Sequence, residues 1–325
     1  MTVTPCAVIG VGYLGKFHAQ KYAALAQANL VAVVDVDAQT AAQVAAECQC
    51  QALTDYRELL GQVAAVSIAV PTLHHFAVAR DFLQCGTHVL LEKPMTTTLA
   101  QAHELNQLAK AQGVVLQIGH LERFNAAFLD LEGMDLCPVF IESHRLAPFK
   151  PRATDVSVVL DLMIHDIDII LEIVGAPVQS IAASGACVLS EDIDIANARL
   201  EFANGCVANV TSSRVSIKSE RKMRIFQPDA YIAIDFQNRG LAIHRVGERE
   251  MFPGIPEIIR EESFFEQADA LKAEIEAFLA AIQHGAPVIV SGEDGERALA
   301  TAMRITELVR ASAPLVKRPL PVRPA

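Results

Sequence analysis

The sequence has no Cys-x-x-Cys pair, no excess of positive charge and no apolar run of membrane-spanning length. Its seven cysteines, at positions 6, 48, 50, 85, 137, 187 and 206, are odd in number and irregularly spaced, so they read as reduced thiols and not as a disulfide framework. The formal net charge of -11 argues against general nucleic-acid binding, although a local basic patch could still hold a phosphorylated small molecule. A membrane helix needs about 20 consecutive apolar residues, and the greasiest stretch, Val156 to Val174, is broken by acids and a histidine. The opening Met-Thr-Val-Thr-Pro-Cys carries no basic segment, so no signal peptide is expected and the protein is expected in the cytoplasm. Internal repeats and low-complexity segments are also missing. What remains is an acidic chain of 325 residues, 52% hydrophobic, enough for two domains with cores of their own.

The first half alternates strand and helix signals. A short apolar strand from Ala7 runs into Gly10-Val11-Gly12-Tyr13-Leu14-Gly15, and a helical stretch follows. In that context Gly10 makes a tight turn, Gly12 lets the backbone approach a pyrophosphate, Gly15 lets helix pack on strand, and the helix N-terminus faces the phosphates. The second strand, Leu30 to Val34, ends in Asp35, twenty residues beyond Gly15, where a carboxylate would bind both ribose hydroxyls of an adenosine. No arginine follows in Val36-Asp37-Ala38, so NAD is expected over NADP. Further strands are expected at Ala65 to Val70, His88 to Leu91 and Val114 to Ile118, with helices between them, which implies a doubly wound parallel sheet. The loop expected from Pro71 to His75 lies at a strand's carboxyl end, where such sheets bind ligands, so Thr72 and His75 become candidate cofactor neighbours. Glu92-Lys93-Pro94 emerges at the same edge, and an ammonium there could polarise a substrate hydroxyl or stabilise an alkoxide; a solvated loop lysine is the bland alternative.

The other informative stretch is Asp161 to Glu172, read as a helix. On a 3.6-residue period Asp161, His165, Asp168 and Glu172 share one narrow stripe, apolar residues cover most of the rest, and only Asp166 interrupts them. A thin titratable stripe on a greasy helix points to a packed helix that presents those groups to a cleft. A structural i,i+4 pairing of Asp161 with His165 is the second reading. A metal site is the third, but with one histidine in the stripe no metal is expected. Beyond it, apolar runs separated by Gly185, Asn204-Gly205, Pro228-Asp229 and Asn238-Arg239-Gly240 suggest hairpins of an antiparallel sheet, and two amphipathic helices, about Glu266 to His284 and Gly292 to Ala313, follow. Arg214 to Arg224 reads as a basic strand on a solvated or subunit-facing sheet face, and Val316 to Ala325 as a surface tail. The boundaries expected are residues 1–120 for a dinucleotide-binding domain and 121–325 for a substrate-binding and oligomerisation domain.

With the glycine loop, Asp35, Glu92-Lys93-Pro94 and the Asp161 to Asp168 helix in place, the chain resembles the glucose-fructose oxidoreductase, inositol dehydrogenase and MocA family over nearly its whole length. The resemblance implies a Rossmann domain that holds NAD or NADP and a C-terminal α/β domain with an open, mostly antiparallel sheet. It implies Lys93, Asp161 and His165 as the catalytic set, matched to the family's Glu-Lys-Pro lysine and its Asp-x-x-x-His pair. Many members have glycines before that aspartate, whereas here the run is Ser157-Val158-Val159-Leu160, and these bulkier residues should reshape the pocket.

The stretch Gly119-His120-Leu121-Glu122-Arg123 with His144-Arg145 looks like the branch that oxidises C3 of UDP-N-acetylglucosamine, whose ketone an aminotransferase partner aminates on the way to a 3-amino lipid A precursor. The substrate residues expected are Lys93, His120, Arg123, Arg145, Arg152 and His165, with Lys150 and Arg152 in a stiff basic loop suited to a sugar diphosphate. Cofactor contacts are expected from Gly10 to Gly15, Asp35, Thr72, His75 and Glu92. One of Lys93 and His165 would remove the hydroxyl proton; His165 is favoured because imidazole titrates near working pH, with Asp161 orienting it, and the roles could be reversed. A dehydrogenase of a free sugar or inositol, and a non-catalytic NAD-binding sensor, are the rival readings. A homodimer or homotetramer through the C-terminal sheet is expected.

Overall fold

The computed structural model describes residues 3–150 and 156–312, which leaves Arg152 and the segment 316–325 outside the described residues. The chain forms two compact units, one of Met1–Gly133 with Phe265–Ala300 and one of Met134–Phe264 with Thr301–Ala325.

The first unit is built on six parallel strands in the order β3-β2-β1-β4-β5-β6. These are β1 (Thr4–Ile9), β2 (Ala28–Val34), β3 (Gln51–Leu53), β4 (Ala65–Ile68), β5 (His88–Glu92) and β6 (Leu116–Gly119). The connecting helices are α1 (Gly15–Ala24), α2 (Ala38–Cys48), α3 (Thr72–Gln84) and α4 (Leu99–Gln112), and a short α5 (Ala126–Leu129) follows. The order reverses at β1, the topological switch point where sheets of this type bind ligands beyond the strands' carboxyl ends. Asp37, Thr98 and Asn125 cap α2, α4 and α5 through their side chains, while α1 begins with no side-chain cap. The helix α3 starts at Thr72, so Thr72 to His75 form its first turn and not the loop expected there; Pro71 stands just before it with the fixed φ that leads into a helix.

The last part of this unit comes from far along the chain. Helix α7 (Ala270–His284), capped by Asp269, buries Leu271, Ile275, Phe278 and Leu279 in a core with Cys6, Val8, Tyr22, Val33 and Leu90. Four such apolar side chains on a 3.6-residue stripe contribute about 1.5–3 kcal/mol each.

The second unit holds an eight-stranded sheet in the order β14-β13-β12-β11-β7-β10-β9-β8. Its strands are β7 (Phe140–Leu146), β8 (Val178–Ala186), β9 (Ile195–Phe202), β10 (Val207–Ser213), β11 (Glu220–Gln227), β12 (Ala230–Asp235), β13 (Gly240–Phe252) and β14 (Ile255–Phe264). All pairings are antiparallel except β7 with β10. The expected turns at Asn204-Gly205, Pro228-Asp229 and Asn238-Arg239 fall between strands. Gly185 does not: it lies inside β8, where an added Cβ would stand 2.6 Å from the Ile195 carbonyl oxygen and 2.8 Å from Val309 Cγ1. That glycine answers close packing and not a change of direction. The strand expected over Arg214 to Arg224 is likewise shorter, since β10 ends at Ser213 and β11 begins at Glu220. The remaining helices are α6 (Ile164–Val174), in this unit, and α8 (Gly292–Ser312). Among the described residues no helix is long and apolar enough to cross a membrane.

Candidate active site

In the first unit the glycine loop has the form its residues foretold. Gly10 adopts φ +82°, and a Cβ there would lie 2.8 Å from the Val70 backbone nitrogen, so both conformation and space demand glycine. A Cβ on Gly15 would collide with the Gly10 carbonyl. A Cβ on Gly12 would meet nothing within 4 Å, so that position faces open space in front of the uncapped N-terminus of α1. The backbone N–H groups of a helix N-terminus and the helix dipole in that place fit an anionic pyrophosphate. Asp35 ends the adjacent strand half-buried, and its carboxylate accepts the N–H of Val11 at 2.9 Å and of Asp37 at 3.1 Å, which binds the acid to the loop. Around this edge Tyr13 is 76%, Val36 94% and Leu73 75% exposed. Large apolar side chains left bare beside a phosphate cradle suit the faces of a dinucleotide's rings.

Further along the same edge, β5 delivers Glu92 buried and Lys93 half-buried. Glu92 Oε1 lies 3.1 Å from His18 Nε2, and Glu92 Oε2 accepts the Lys93 N–H at 3.3 Å. His75 is occupied structurally: its ring nitrogens lie 2.9 Å from the Pro94 carbonyl and 2.8 Å from the Val70 carbonyl, joining α3 to the loop after Lys93. Burial holds its imidazole below the ordinary histidine value. His120 and Arg123 are both buried, and His120 is pushed down to about 3, first by burial and then by the charges of Lys93 and Arg123. It is therefore a neutral imidazole beside a cation.

In the second unit the site helix opens with one π turn, Val159–Met163, and continues as α6. Such turns recur at functional sites because they re-aim side chains relative to a regular helix. Asp161 stands in the π turn and His165 in the first turn of α6, both half-buried; Asp168 is buried and Glu172 exposed. Asp166, which broke the apolar pattern, is fully buried and receives a bidentate ion pair from Arg145 on β7, with Nε to Oδ2 at 2.7 Å and Nη2 to Oδ1 at 3.2 Å. Arg145 thus anchors the helix that carries His165. Arg214, expected on a solvated face, is 5% exposed and donates to the backbone carbonyls of Val156 and Ile193. Asp194 beside it accepts the N–H groups of Val188, Leu189 and Ser190. This pair fastens the chain's entry into the site helix.

Comparison with known proteins agrees with the fold. The model of the Gfo/Idh/MocA oxidoreductases with an NAD-binding Rossmann fold matches residues 4–120, and that of the Gfo/Idh/MocA C-terminal domain matches residues 117–232. The chain belongs to the Gfo/Idh/MocA family. Among Gfo/Idh/MocA proteins, UDP-N-acetylglucosamine 3-dehydrogenase of Acidithiobacillus ferrooxidans is 44% identical over 94% of this chain and 96% of its own length. A solved structure of that enzyme superposes with a TM-score of 0.90 at 43% identity, covering 96% of this chain and 99% of the other. The NAD-dependent scyllo-inositol 2-dehydrogenase of Bacillus subtilis is more distant, 29% identical over 65% of this chain and 67% of its own. The expected fold class, a Rossmann sheet plus an open, mostly antiparallel one, holds, and the cofactor of this Gfo/Idh/MocA chain is NAD.

Several residues that shape the site escaped sequence reasoning. Asp166 carried a signal, as a lone acid on an apolar face, and so did Glu274, which falls with Leu271, Ile275 and Phe278 on the buried stripe of α7. His18 and Asp194 carried none.

Proposed function

We propose that this chain is an NAD-dependent dehydrogenase that oxidises the C3 hydroxyl of UDP-N-acetylglucosamine to the 3-keto nucleotide sugar. The observation that carries the reading is the 44% identity to an enzyme of that name over almost the full length of both chains, joined to the retention of Lys93, Asp161 and His165. Binding alone would not need an acid–base set, which disfavours a sensor, and the inositol dehydrogenases are more distant relatives.

In this scheme His165 removes the hydroxyl proton with Asp161 orienting its ring, while the Lys93 ammonium stabilises the alkoxide; the exchange of these two roles is the alternative. Gly10 to Gly15 would hold the pyrophosphate of NAD and Asp35 its adenosine ribose, and the nicotinamide would supply the hydride acceptor for C3. Neutral His120 adds no second positive charge near Lys93, so it contributes shape and hydrogen bonding in place of charge. In this reading Val158 to Leu160, bulkier than the glycines many members carry before this aspartate, reshape the pocket.

The product is a ketone, and an aminotransferase that draws it off towards a 3-amino lipid A precursor is the functional partner in this reading, in the cytoplasm where NAD and nucleotide sugars are available. A second copy of the chain is the other partner. The hairpin of β13 and β14 leaves Val246, Met251, Phe252, Ile255, Ile258 and Phe264 more than half exposed, an apolar surface suited to self-association. Light scattering that finds only monomer at working concentration would remove that part.

The deciding assay is absorbance at the NADH band when protein, NAD and UDP-N-acetylglucosamine are mixed, with an aminotransferase and amino donor present to consume the ketone. Reduction that requires the nucleotide sugar, lost by a factor of about 100 or more in Lys93→Ala and His165→Ala, supports the reading. Reduction with free sugars or inositols only would overturn it.

A further inference from the structure

Behind Lys93 lies a buried cluster that the reaction scheme does not use. His18 from α1, Glu92 from β5 and Glu274 from α7 bring one ring nitrogen and two carboxylate oxygens within 4.8 Å of one another, and all three residues are buried. Two carboxylates in so small a dry space cannot both stay charged without a cation. Glu92 has donors, since it lies at hydrogen-bonding distance from His18 Nε2 and accepts the Lys93 N–H. Glu274 has none: neither of its side-chain oxygens has a hydrogen-bond partner, although the residue is 0% exposed. His18 Nδ1 is also unpartnered, and so is Oε1 of Gln117, whose Nε2 donates to the Glu274 backbone carbonyl. With the His18 Nε2–H given to Glu92, the set holds several acceptors and lacks one donor.

We propose that Glu274 is a proton-bearing carboxylic acid and that it positions Lys93 through Glu92. Its O–H supplies the missing donor on the side of Glu92, whose carboxylate lies within 4.8 Å, and its neutrality removes the second negative charge from the cluster. Burial, followed by the nearby Glu92 charge, raises the Glu274 carboxyl well above the ordinary value, in agreement with that state. The seat of Glu92 is tight: a Cβ on Gly119 would lie 2.9 Å from its carboxyl carbon, so the carboxylate cannot swing away without moving β6 or the Lys93 backbone. The titratable neighbours on the packed elements are His18 and Tyr22 on α1, with His75, Lys93 and His120 around Glu92. No cation among the described residues pairs with Glu274. A bound divalent ion would have to replace the hydrogen bond between His18 and Glu92, which already has ordinary length.

The role for Lys93 rests on the dehydrogenase reading above, but the protonation does not, and the experiment separates them. Infrared difference spectra of wild type against Glu274→Gln at neutral pH should show the carbonyl band of a protonated carboxylic acid that the variant lacks, with no substrate needed. In turnover, Glu274→Leu should lose about tenfold in kcat, the worth of roughly one hydrogen bond, with KM for NAD unchanged. Glu274→Gln, a neutral donor, should recover that loss and should flatten any alkaline decline seen in the wild-type pH profile. Three results would overturn the proposal: no acid band at this residue, equal loss in Gln and Leu variants, or a stoichiometric divalent metal that purifies with the wild type and not with Glu274→Gln. If the band is present and the nucleotide sugar is not oxidised, the dehydrogenase reading fails and the proton assignment stands.

Discussion

The buried pair of Arg145 and Asp166 permits a sharp test of what the site helix depends on. Arg145 is 3% and Asp166 0% exposed, and their contact is bidentate at 2.7 and 3.2 Å. Removing one partner strands the other charge in a dry interior, which costs about 3–5 kcal/mol. At roughly 2–4 °C per kcal/mol for a unit of this size, Arg145→Met or Asp166→Leu alone should lower Tm by about 10 °C. The double variant removes both charges and fills the space with apolar atoms, so it should recover most of the loss. Scanning calorimetry on the four proteins provides the cycle, and kcat measured beside it reports the helix that carries His165. Single variants that each cost under about 1 kcal/mol, or a double variant that costs their sum, would refute the argument. A rise in KM for the nucleotide sugar in Arg145→Met at unchanged Tm would return Arg145 to the substrate-binding role expected from the sequence.

Gly12→Ala adds a methyl group where nothing lies within 4 Å, so folding should be unaffected while NAD affinity falls by roughly tenfold or more, measured by calorimetric titration; unchanged affinity would take the loop out of pyrophosphate binding. Asp35→Ala removes a carboxylate held by two backbone N–H groups and should weaken NAD by about 10–100-fold while narrowing its advantage over NADP, read as the ratio of the two dissociation constants. Burial alone would raise the Asp194 carboxyl, but the Ser190 hydroxyl and the N–H groups of Val188, Leu189 and Ser190 hold it below the usual carboxylate value. A depressed folded value means that its contribution is complete above the unfolded value near 3.8 and is lost as pH falls through the folded one. Asp194→Asn should therefore lower Tm at neutral pH and lessen the gap to wild type at the acid end; a gap constant with pH would contradict this. For Glu274 the sign is opposite: its raised folded value makes wild-type stability decline as pH rises above the ordinary carboxyl value, so Glu274→Gln should gain on wild type with rising pH, at most about 1.4 kcal/mol per pH unit.

Much of this protein was legible along the chain because the relevant physics is local. The turn at Gly10, the open space at Gly12, the acid closing β2 and the lysine leaving β5 all follow from residue order within one strand–turn–helix unit, and short-range backbone geometry fixes them. The amphipathic stripe of Asp161, His165 and Asp168 was legible for the same reason, although the π turn that shifts Asp161 was not, since no local spacing announces it. Tertiary structure alone decided which charges are internal partners. Arg145 looks in sequence like a basic side chain for a diphosphate and Arg214 like one on a solvated strand face, and whether either meets water, a ligand or an aspartate depends on a carboxylate 21 residues away at Asp166 or 20 away at Asp194. The return of α7 to the first unit is of the same kind: burial of Leu271, Ile275 and Phe278 against β1, β2 and β5 brings Glu274 within reach of Glu92, 182 residues earlier. Sequence fixed the vocabulary of the site through local geometry. Long-range packing, which desolvates some charges and leaves others wet, chose which residues form its framework.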